Sequence, residues 1–360
     1  MEKRPNQSRV QLSKMRARKH KWFCFIAVML VLLGIGVFFN NLYSKTKSAV
    51  NKTYDSQNKT TIKRGEFNGQ HKFAVLLMGT DTGALNRKDK FGNTDTIILA
   101  IVNPQKKQYS LVSIPRDSMA QMIGTKNFEV QKINAAYQIG GAKMSMASVS
   151  KLINVPIKYY AIINMGGITK MVSYVNGINL RPNLSFKYDG FSFKKGQLTH
   201  LNGKAALAYS RMRYQDPLGD YGREQRQRQV ITKLIQKADS VNSLTNLEPI
   251  LDSVSNNVRT NLPFNALEQI AVNYRSCTNN VKNDYLHGYS AMIGDGAYQI
   301  QPTKELQRVS DYCRSELGLK PETIENNETY QNQRNIKAGF EFGSDQLQDF
   351  HIYSSYESEN

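Results

Sequence analysis

Short apolar runs that stop at Gly, Pro or Asn-Pro recur between positions 73 and 164, a pattern typical of buried β-strands. They predict four strands, Phe73–Gly79, Asp95–Val102, Gln108–Ile114 and Tyr159–Asn164. Between and after these runs, apolar residues recur at helical spacing. That spacing predicts four helices, Lys132–Ile153 with a break at Gly140-Gly141, Gly167–Val175, Asn202–Ser210 and Glu224–Ala238. Interleaved strands and helices favour an α/β fold, which we expect to be a three-layer α/β/α domain with a mixed central sheet.

The helix predicted over Glu224–Ala238 is amphipathic, because Val230, Leu234 and Ala238 fall on one apolar stripe. We expect the aromatic residues of the strands and of the first helix to fill the core rather than a cofactor pocket. They are Phe73, Tyr137, Tyr159 and Tyr160.

The carboxy-terminal third continues the same pattern and then loses it. Helices are predicted over Leu244–Val254, Pro263–Tyr274 and Thr303–Leu317, with a strand near Tyr285–Ile293. We therefore treat residues 239–320 as an extension that packs on the domain formed by residues 73–238. Residues 321–360 are acidic, rich in Asn, Gln and Glu, and aperiodic, which predicts a disordered tail.

An uncharged apolar run, Trp22–Phe39, spans 18 residues near the amino terminus. A helix of that length covers roughly 27 Å, close to the hydrocarbon thickness of a bilayer. A cleaved signal peptide is the alternative, but Asn40-Asn41-Leu42-Tyr43 offers no convincing cleavage site. We interpret the run as one transmembrane signal-anchor helix. The basic tail at 1–21 should stay cytoplasmic, so the chain beyond Asn40 is extracytoplasmic and begins with a stalk at 40–72.

Charge is distributed unevenly along the 360 residues. The net charge of +19 divides into +7 for residues 1–21, +5 for 40–72, +15 for 73–237 and −8 for 238–360. Membrane orientation accounts for the first block, and 21 residues are too few for a DNA-binding fold, so we expect no nucleic-acid partner. The basic block of the folded domain instead suggests an anionic partner.

Several chemistries are disfavoured because their motifs are absent from the sequence. The chain has no G-x-x-x-x-G-K-[ST], H-E-x-x-H or G-x-S-x-G motif. Its five histidines include no ligand-spaced pair, and we expect His71 and His200 in exposed loops. Three cysteines are too few for a disulfide scaffold. Cys277 and Cys313 could form an extracytoplasmic disulfide or be two unrelated buried thiols.

Two aspartates lie at the ends of predicted strands. Asp81 follows the first strand in Gly-Thr-Asp-Thr, and Asp95 begins the second in Asn-Thr-Asp-Thr. Carboxylates in such positions suit a hard divalent cation, although aspartates that cap turns are the alternative.

Arginines cluster around a second region. Arg116 follows Pro115 at a strand exit, where a surface pair with Asp117 is the plain alternative. Further along, two arginines, a Gly/Pro-rich loop and a new helix follow one another as Arg211, Arg213, the loop 216–223 and Glu224 onward. Guanidinium groups gathered at a helix amino terminus suit phosphate oxygens. For Arg226 and Arg228, a solvated basic helix face is the expected role.

These segments together resemble the LytR–CpsA–Psr family. The resemblance covers about residues 73–238 in one order, and its elements are LLMGTDTG, NTDTIILAIVNPQKKQYSLVSIPRD, KINAAYQIGG and GQLTHLNGKAALAYSRMRYQDPLGDYGREQRQRQVI. It implies a transferase of the Gram-positive envelope that moves teichoic acid or capsular polysaccharide from a polyprenyl-pyrophosphate carrier to peptidoglycan. A membrane anchor with an outer domain also fits that family.

The resemblance also implies roles for individual residues. Asp81 and Asp95 take the place of metal ligands for Mg²⁺ or Mn²⁺. Catalytic and pyrophosphate-binding positions fall on Arg116, Arg211, Arg213 and Arg223, with Asp220 in the same loop and Lys132 as a further substrate contact. The chain departs from the family pattern at Asn93 and Leu218, where members often carry arginine.

The function we expect is Mg²⁺-assisted phosphoryl transfer, with Asp95 and Asp220 both open as the general base. The arginines would stabilise charge on the transferred phosphoryl group. Two alternatives stay open, a non-catalytic envelope regulator and a wall protein that passively binds polyanions.

Overall fold

The computed structural model describes residues 54–55, 58, 60–80, 92–240 and 257–355. The predicted membrane span, most of the predicted stalk, Asp81 and the helix predicted over Leu244–Val254 lie outside these residues. Within the described ranges, no helix is both long enough and apolar enough to cross a bilayer.

The described elements alternate between strands and helices along the chain. The strands are β1 (Phe73–Thr80), β2 (Thr94–Asn103), β3 (Gln108–Ser113), β4 (Met119–Gln121), β5 (Val130–Lys132), β6 (Tyr159–Asn164), β7 (Ile178–Leu180), β8 (Phe186–Tyr188), β9 (Phe191–Phe193), β10 (Thr199–Leu201), β11 (Val258–Thr260), β12 (Val281–Tyr285), β13 (Tyr289–Ile293), β14 (Gly296–Ile300) and β15 (Gln348–Asp349). The helices are α1 (Ala135–Ile153), α2 (Met165–Tyr174), α3 (Gly203–Arg211), α4 (Gly219–Ser240), α5 (Phe264–Asn273), α6 (Thr303–Leu317) and α7 (Asn327–Lys337).

Six of these strands form a central sheet in the order β11-β6-β1-β2-β3-β12. The β1–β2, β2–β3 and β6–β11 pairs are antiparallel, whereas β1–β6 and β3–β12 are parallel. The predicted α/β fold with a mixed central sheet is therefore confirmed. Both edge strands, β11 and β12, come from the segment predicted to be an extension, so residues after 238 complete the sheet.

Helices cover both faces of this sheet. Successive side chains along each strand point to opposite faces, and apolar side chains are buried on both. On one face, Leu76 and Leu99 pack with residues of α1 and α6. On the other, Ile98 packs with Ile231 and Ile235 of α4, and α5 covers the neighbouring part of the sheet. The aromatic residues expected in the core, Phe73, Tyr137, Tyr159 and Tyr160, are all buried.

The predicted helix with a glycine break is α1. Gly140 and Gly141 have non-helical backbone angles inside it, as expected. The helix starts at Ala135 rather than Lys132, because Val130–Lys132 pairs with β4 as a strand. The single strand predicted near Tyr285–Ile293 is likewise two strands, β12 and β13.

The disordered tail predicted for residues 321–360 is wrong over its described part, 321–355. This segment forms α7 and β15 and buries Phe340 and Phe350. Its amide side chains are structural: Gln331 and Asn335 each donate to and accept from the backbone of residues 351–353. A polar, aperiodic composition therefore folds here because its amides pair with main-chain groups rather than with water.

The two described cysteines are free and buried. Cys277 lies in the cluster that contains Phe73 and Val75, and Cys313 lies in the cluster that contains Leu76 and Leu99. These clusters are on opposite faces of the sheet, so the disulfide alternative is wrong and the thiols are separate. His71 and His200 are exposed, as expected, although His200 lies in β10 rather than in a loop.

Candidate active site

Three parts of the chain bring the site together beyond the ends of β2 and β3. Asp95 is the second residue of β2, Arg116 follows Pro115 three residues after β3, and Asp220 and Arg223 belong to the start of α4. Arg116 Nη1 donates to Asp95 Oδ1 at 2.5 Å, and Arg223 Nη2 donates to the Asp95 carbonyl oxygen at 3.2 Å. The predicted site residues of both regions thus meet in one cluster.

Asp220 is the centre of this cluster. Its Oδ2 accepts a hydrogen bond from Arg223 Nη2 at 3.0 Å and lies 3.5 Å from Arg116 Nε. Its Oδ1 lies 3.3 Å from Arg213 Nε. One carboxylate therefore orients three guanidinium groups that would otherwise repel one another.

The pKa values of Arg223 and Arg116, the two most buried arginines of the cluster, shift in opposite directions. Burial lowers the pKa of Arg223, which Asp220 only partly offsets. Burial also disfavours the charge of Arg116, but the hydrogen bond with Asp95 and the nearby carboxylates outweigh it and raise the pKa of Arg116.

Lys132 and Asp117 extend the cluster on one side. Lys132 Nζ lies 3.3 Å from Asp117 Oδ1, and Asp117 Oδ2 lies 3.5 Å from Arg116 Nε. The surface pair weighed for Arg116 and Asp117 is thus part of a larger network. Arg211 ends α3, is half-buried, and takes part in none of these ion pairs within the described chain.

The expectation of a solvated basic face on α4 is wrong for Arg226 and Arg228. Arg226 is completely buried, pairs with Asp216, donates to the Tyr209 carbonyl oxygen at 3.2 Å and lies over the Phe186 ring. It holds the loop before α4 against the helix. A side chain at Gly222 would collide with the Asp216 carboxylate, so glycine allows this close approach.

Glu224 and Arg228 lie one and two turns further along α4 than Asp220, and both are buried. Arg228 donates to Ser113 Oγ at the end of β3 and lies over the Tyr285 ring. Burial raises the pKa of Glu224 to about 8, against the pull of Arg228 and Arg223. Sequence reasoning missed Glu224, because residues 216–223 were predicted to be a loop, whereas α4 begins at Gly219 and so places Glu224 one turn after Asp220.

Five buried polar atoms of this cluster form no hydrogen bond with any described residue. They are Arg116 Nε, Asp220 Oδ1, Arg223 Nε, Glu224 Oε2 and Arg228 Nε. Other buried polar atoms of the described chain, such as Ser310 Oγ and Gln227 Oε1, also form none, but several guanidinium donors gather at this one place. Three of the five atoms are guanidinium donors, which suits an anion.

A cavity of about 240 Å³ opens beside the cluster. Its lining residues are Pro115, Asp117, Arg213, Leu218, Gly219, Asp220, Tyr221 and Gln299. Leu218 is 62% exposed and gives this wall an apolar side chain at the position where arginine is frequent in the resembling family.

Oxygen ligands of the kind that Mg²⁺ or Mn²⁺ prefers are present at the strand ends. Asp95 is part-exposed, and Thr94 beside it pairs with Thr80, the last residue of β1. Asp81 follows Thr80 in the sequence but lies outside the described residues. Among the residues described, no three His, Cys, Asp or Glu side chains group as a metal site. The donor chemistry at Asp95 fits a hard cation.

Comparison with known proteins places this geometry in a family. A sequence model of the LytR_cpsA_psr family matches residues 37–315. A polyisoprenyl-teichoic acid–peptidoglycan teichoic acid transferase TagU of Enterococcus faecalis is 40% identical over 295 residues, covering 82% of this chain and 95% of that protein.

Two further similarities agree. Biofilm regulatory protein A of Streptococcus mutans is 34% identical over 323 residues, covering 84% of this chain and 79% of that protein. The structure of TagT bound to LIIa-WTA is 25% identical with a TM-score of 0.59, covering 72% of this chain and 94% of that one. The resemblance read from the motifs is confirmed, and the chain belongs to the LytR_cpsA_psr family.

Proposed function

We propose that this protein is a transferase that moves a wall glycopolymer from a polyprenyl-pyrophosphate carrier to peptidoglycan. The observation that carries the proposal is two buried guanidinium nitrogens, Arg116 Nε and Arg223 Nε, which form no hydrogen bond with a described residue although Asp220 holds both arginines. Donors that are buried and fixed before a ligand arrives are suited to stabilise charge on a phosphoryl group. The teichoic acid transferase name of the Enterococcus faecalis relative supports the same reaction class.

In the proposed reaction, an acceptor hydroxyl oxygen forms a bond to the phosphorus that carries the glycan. The bridging P–O bond of the pyrophosphate breaks, and polyprenyl phosphate leaves. Arg116, Arg213 and Arg223 would bind the non-bridging oxygens, whose charge is spread in the transition state. Asp220 acts as a positioning residue, since both of its carboxylate oxygens face guanidinium groups.

The hydroxyl proton needs a carboxylate that is less occupied than Asp220. Asp95 engages one oxygen with Arg116 in the described chain, so it is the better placed of the two general bases left open by the sequence. It is also the described residue that would hold Mg²⁺ or Mn²⁺, together with Asp81. When bound, such a cation would offset charge on the pyrophosphate.

The alternatives explain the site less well. A passive binder of polyanions needs exposed cations, whereas Arg223 and Arg228 are buried. A purely regulatory protein has no need of buried guanidinium nitrogens that form no hydrogen bond with a described residue. We further propose that the apolar run 22–39 anchors the protein in the cell membrane with its folded part outside.

The test uses the full-length chain in detergent micelles with a labelled polyprenyl-pyrophosphate-linked teichoic acid precursor and purified peptidoglycan. The proposal predicts transfer of label that EDTA abolishes and that Mg²⁺ restores. Tight precursor binding without transfer would identify a binder, and neither binding nor transfer would point to a regulator. Transfer that is indifferent to EDTA would contradict the metal role alone.

A further inference from the structure

A row of aromatic rings leads from the cavity onto the carboxy-terminal part of the chain. Tyr221 lines the cavity, and its ring centroid lies 5.3 Å from those of both Tyr285 and His287. His287 lies 5.0 Å from Tyr289, which lies 5.8 Å from Phe342. We call these five residues the aromatic row.

The aromatic row is accessible and firmly held. Tyr285 is 40% exposed, and His287, Tyr289 and Phe342 are half-buried. The Tyr221 hydroxyl accepts a hydrogen bond from the Gly288 amide at 2.8 Å. Phe342 packs against a buried aromatic ring of the same carboxy-terminal segment.

The hairpin that carries part of the row is also a wall of the proposed active site. The backbone N–H of Gln299 in β14 donates to the backbone carbonyl oxygen of Asp117 at 2.8 Å, and Lys132 Nζ lies over the Tyr298 ring. Gln299 itself lines the cavity. A polymer bound on the aromatic row would therefore reach the arginine cluster without a gap.

The charge around the row separates the two polymers that the proposed reaction must bring together. Residues 238–360 carry a balance of −8, and Asp284 and Glu341 directly precede Tyr285 and Phe342 in the sequence, although Asp284 pairs with Arg308. A polyanionic glycopolymer would be repelled by this surface, whereas the sugar rings of a peptidoglycan strand carry no charge.

We propose that the aromatic row binds the glycan strand of the peptidoglycan acceptor and directs one of its hydroxyls into the cavity. This inference rests on the proposed function and adds the acceptor site to it. Aromatic faces carry negative charge density that suits the slightly positive C–H groups of sugar rings. Polar groups at the row would fix the orientation of the strand, namely the imidazole of His287 within it and the neighbouring Gln299.

The test measures acceptor binding without any reaction. A fluorescent peptidoglycan tetrasaccharide, without stem peptides and with its lactyl carboxyl groups capped as amides so that it carries no charge, is titrated into the full-length chain in micelles, and a labelled polyprenyl-pyrophosphate precursor is titrated separately. Tyr289→Ala and Phe342→Ala should each weaken tetrasaccharide binding by about tenfold or more. Tyr289→Phe should retain binding, which separates loss of a ring from loss of the fold. Tyr174→Ala is the matched control, since Tyr174 is 42% exposed on α2 and outside the row.

Tetrasaccharide affinities within about twofold of the wild type in both alanine variants would overturn the proposal. So would a loss of precursor binding with tetrasaccharide binding intact, since that would make the row a donor site. The binding result does not depend on turnover. If the wild type transfers no glycopolymer but Tyr289→Ala weakens tetrasaccharide binding, the transferase proposal is refuted and the acceptor site is retained.

Discussion

Glu224 decides the charge of the arginine cluster at neutral pH. Its side chain is buried, its Oε2 forms no hydrogen bond with a described residue, and burial raises its pKa to about 8. A protonated Glu224 adds no negative charge beside Arg223 and Arg228, so Asp220 remains as the carboxylate that pairs with Arg223. The cluster is therefore most positive below the pKa of Glu224, which favours an anionic ligand.

Replacing Glu224 should change the pH dependence of folding stability. Because the pKa is about 8 in the folded chain against an ordinary 4.5, the folded state holds the proton more tightly. The stabilisation is complete below the unfolded value and is lost as pH rises towards about 8. The stability of Glu224→Gln relative to the wild type should therefore increase between pH 5 and pH 8 and level off above it. Denaturant unfolding at each pH measures this difference, and parallel curves would contradict the raised pKa.

Arg226 and Arg213 are a matched pair for testing burial. Arg226 has no exposed side-chain surface and Asp216 has 6%, whereas the Arg213 side chain is 38% exposed. Arg226→Leu leaves a buried carboxylate without its partner and should cost about 3–5 kcal/mol in the free energy of unfolding. Arg213→Leu should cost about 1 kcal/mol or less. Equal losses in denaturant unfolding would refute the anchoring role of Arg226.

Sequence reasoning predicted the residues whose positions follow from strand ends and turns. Arg116, Arg213, Asp220 and Arg223 do meet, because the chain exits β3 and enters α4 at the same end of the sheet. The burial of Arg226 could not be predicted, since it depends on the distant Phe186 ring and on the preceding loop folding back so that Asp216 reaches the helix.

At the scale of elements, the amide side chains of α7 hold the extended segment formed by residues 351–353. Gln331 pairs with the backbone of Tyr353, and Asn335 pairs with the backbone of His351. Residues 331 and 335 lie one helical turn apart on one face, which matches alternate residues of an extended chain. This ladder orders the segment that carries Phe342 of the aromatic row.

Asn335→Ala should loosen that segment selectively. It removes both hydrogen bonds to the His351 backbone and should cost about 1–3 kcal/mol of local stability. Amide hydrogen exchange of residues 350–355 measures the loss as faster exchange. Gln346→Ala is the control, because Gln346 is exposed and its side chain has no part in the ladder. Unchanged exchange in Asn335→Ala would show that the ladder is not what holds the segment.

The length of an element did not decide how well its bounds were predicted. The predicted bounds of the six-residue β6 and of α6 agree with the structure, whereas the 22-residue α4 begins at Gly219 rather than at the predicted Glu224. The β13–β14 hairpin was missed: its tight turn at Gly294, which has a positive φ of 56°, splits a run that is too short to show two strands. Helix α7 was missed as well, because its sequence is polar and shows no apolar period.

On the scale of the whole molecule, the basic and the acidic parts of the chain form different sides of the site. The basic part of the chain supplies the arginine cluster, and the acidic carboxy-terminal part supplies both edge strands and the hairpin wall. The boundary predicted at residue 238 therefore separates charge but not fold. A donor polyanion and an uncharged acceptor strand would approach the cavity across different surfaces.

The most direct test of this account is the rate of glycopolymer transfer by the full-length chain carrying Arg223→Met. Arg223 supplies a buried donor held by Asp220, so its loss should slow transfer by about 100-fold or more while the fold persists. Arg181→Met is the matched control, because Arg181 is exposed and, within the described chain, its side chain donates to the Gly196 carbonyl oxygen outside the site. Transfer by Arg223→Met at the rate of Arg181→Met would contradict the assignment of the arginine cluster as the catalytic centre.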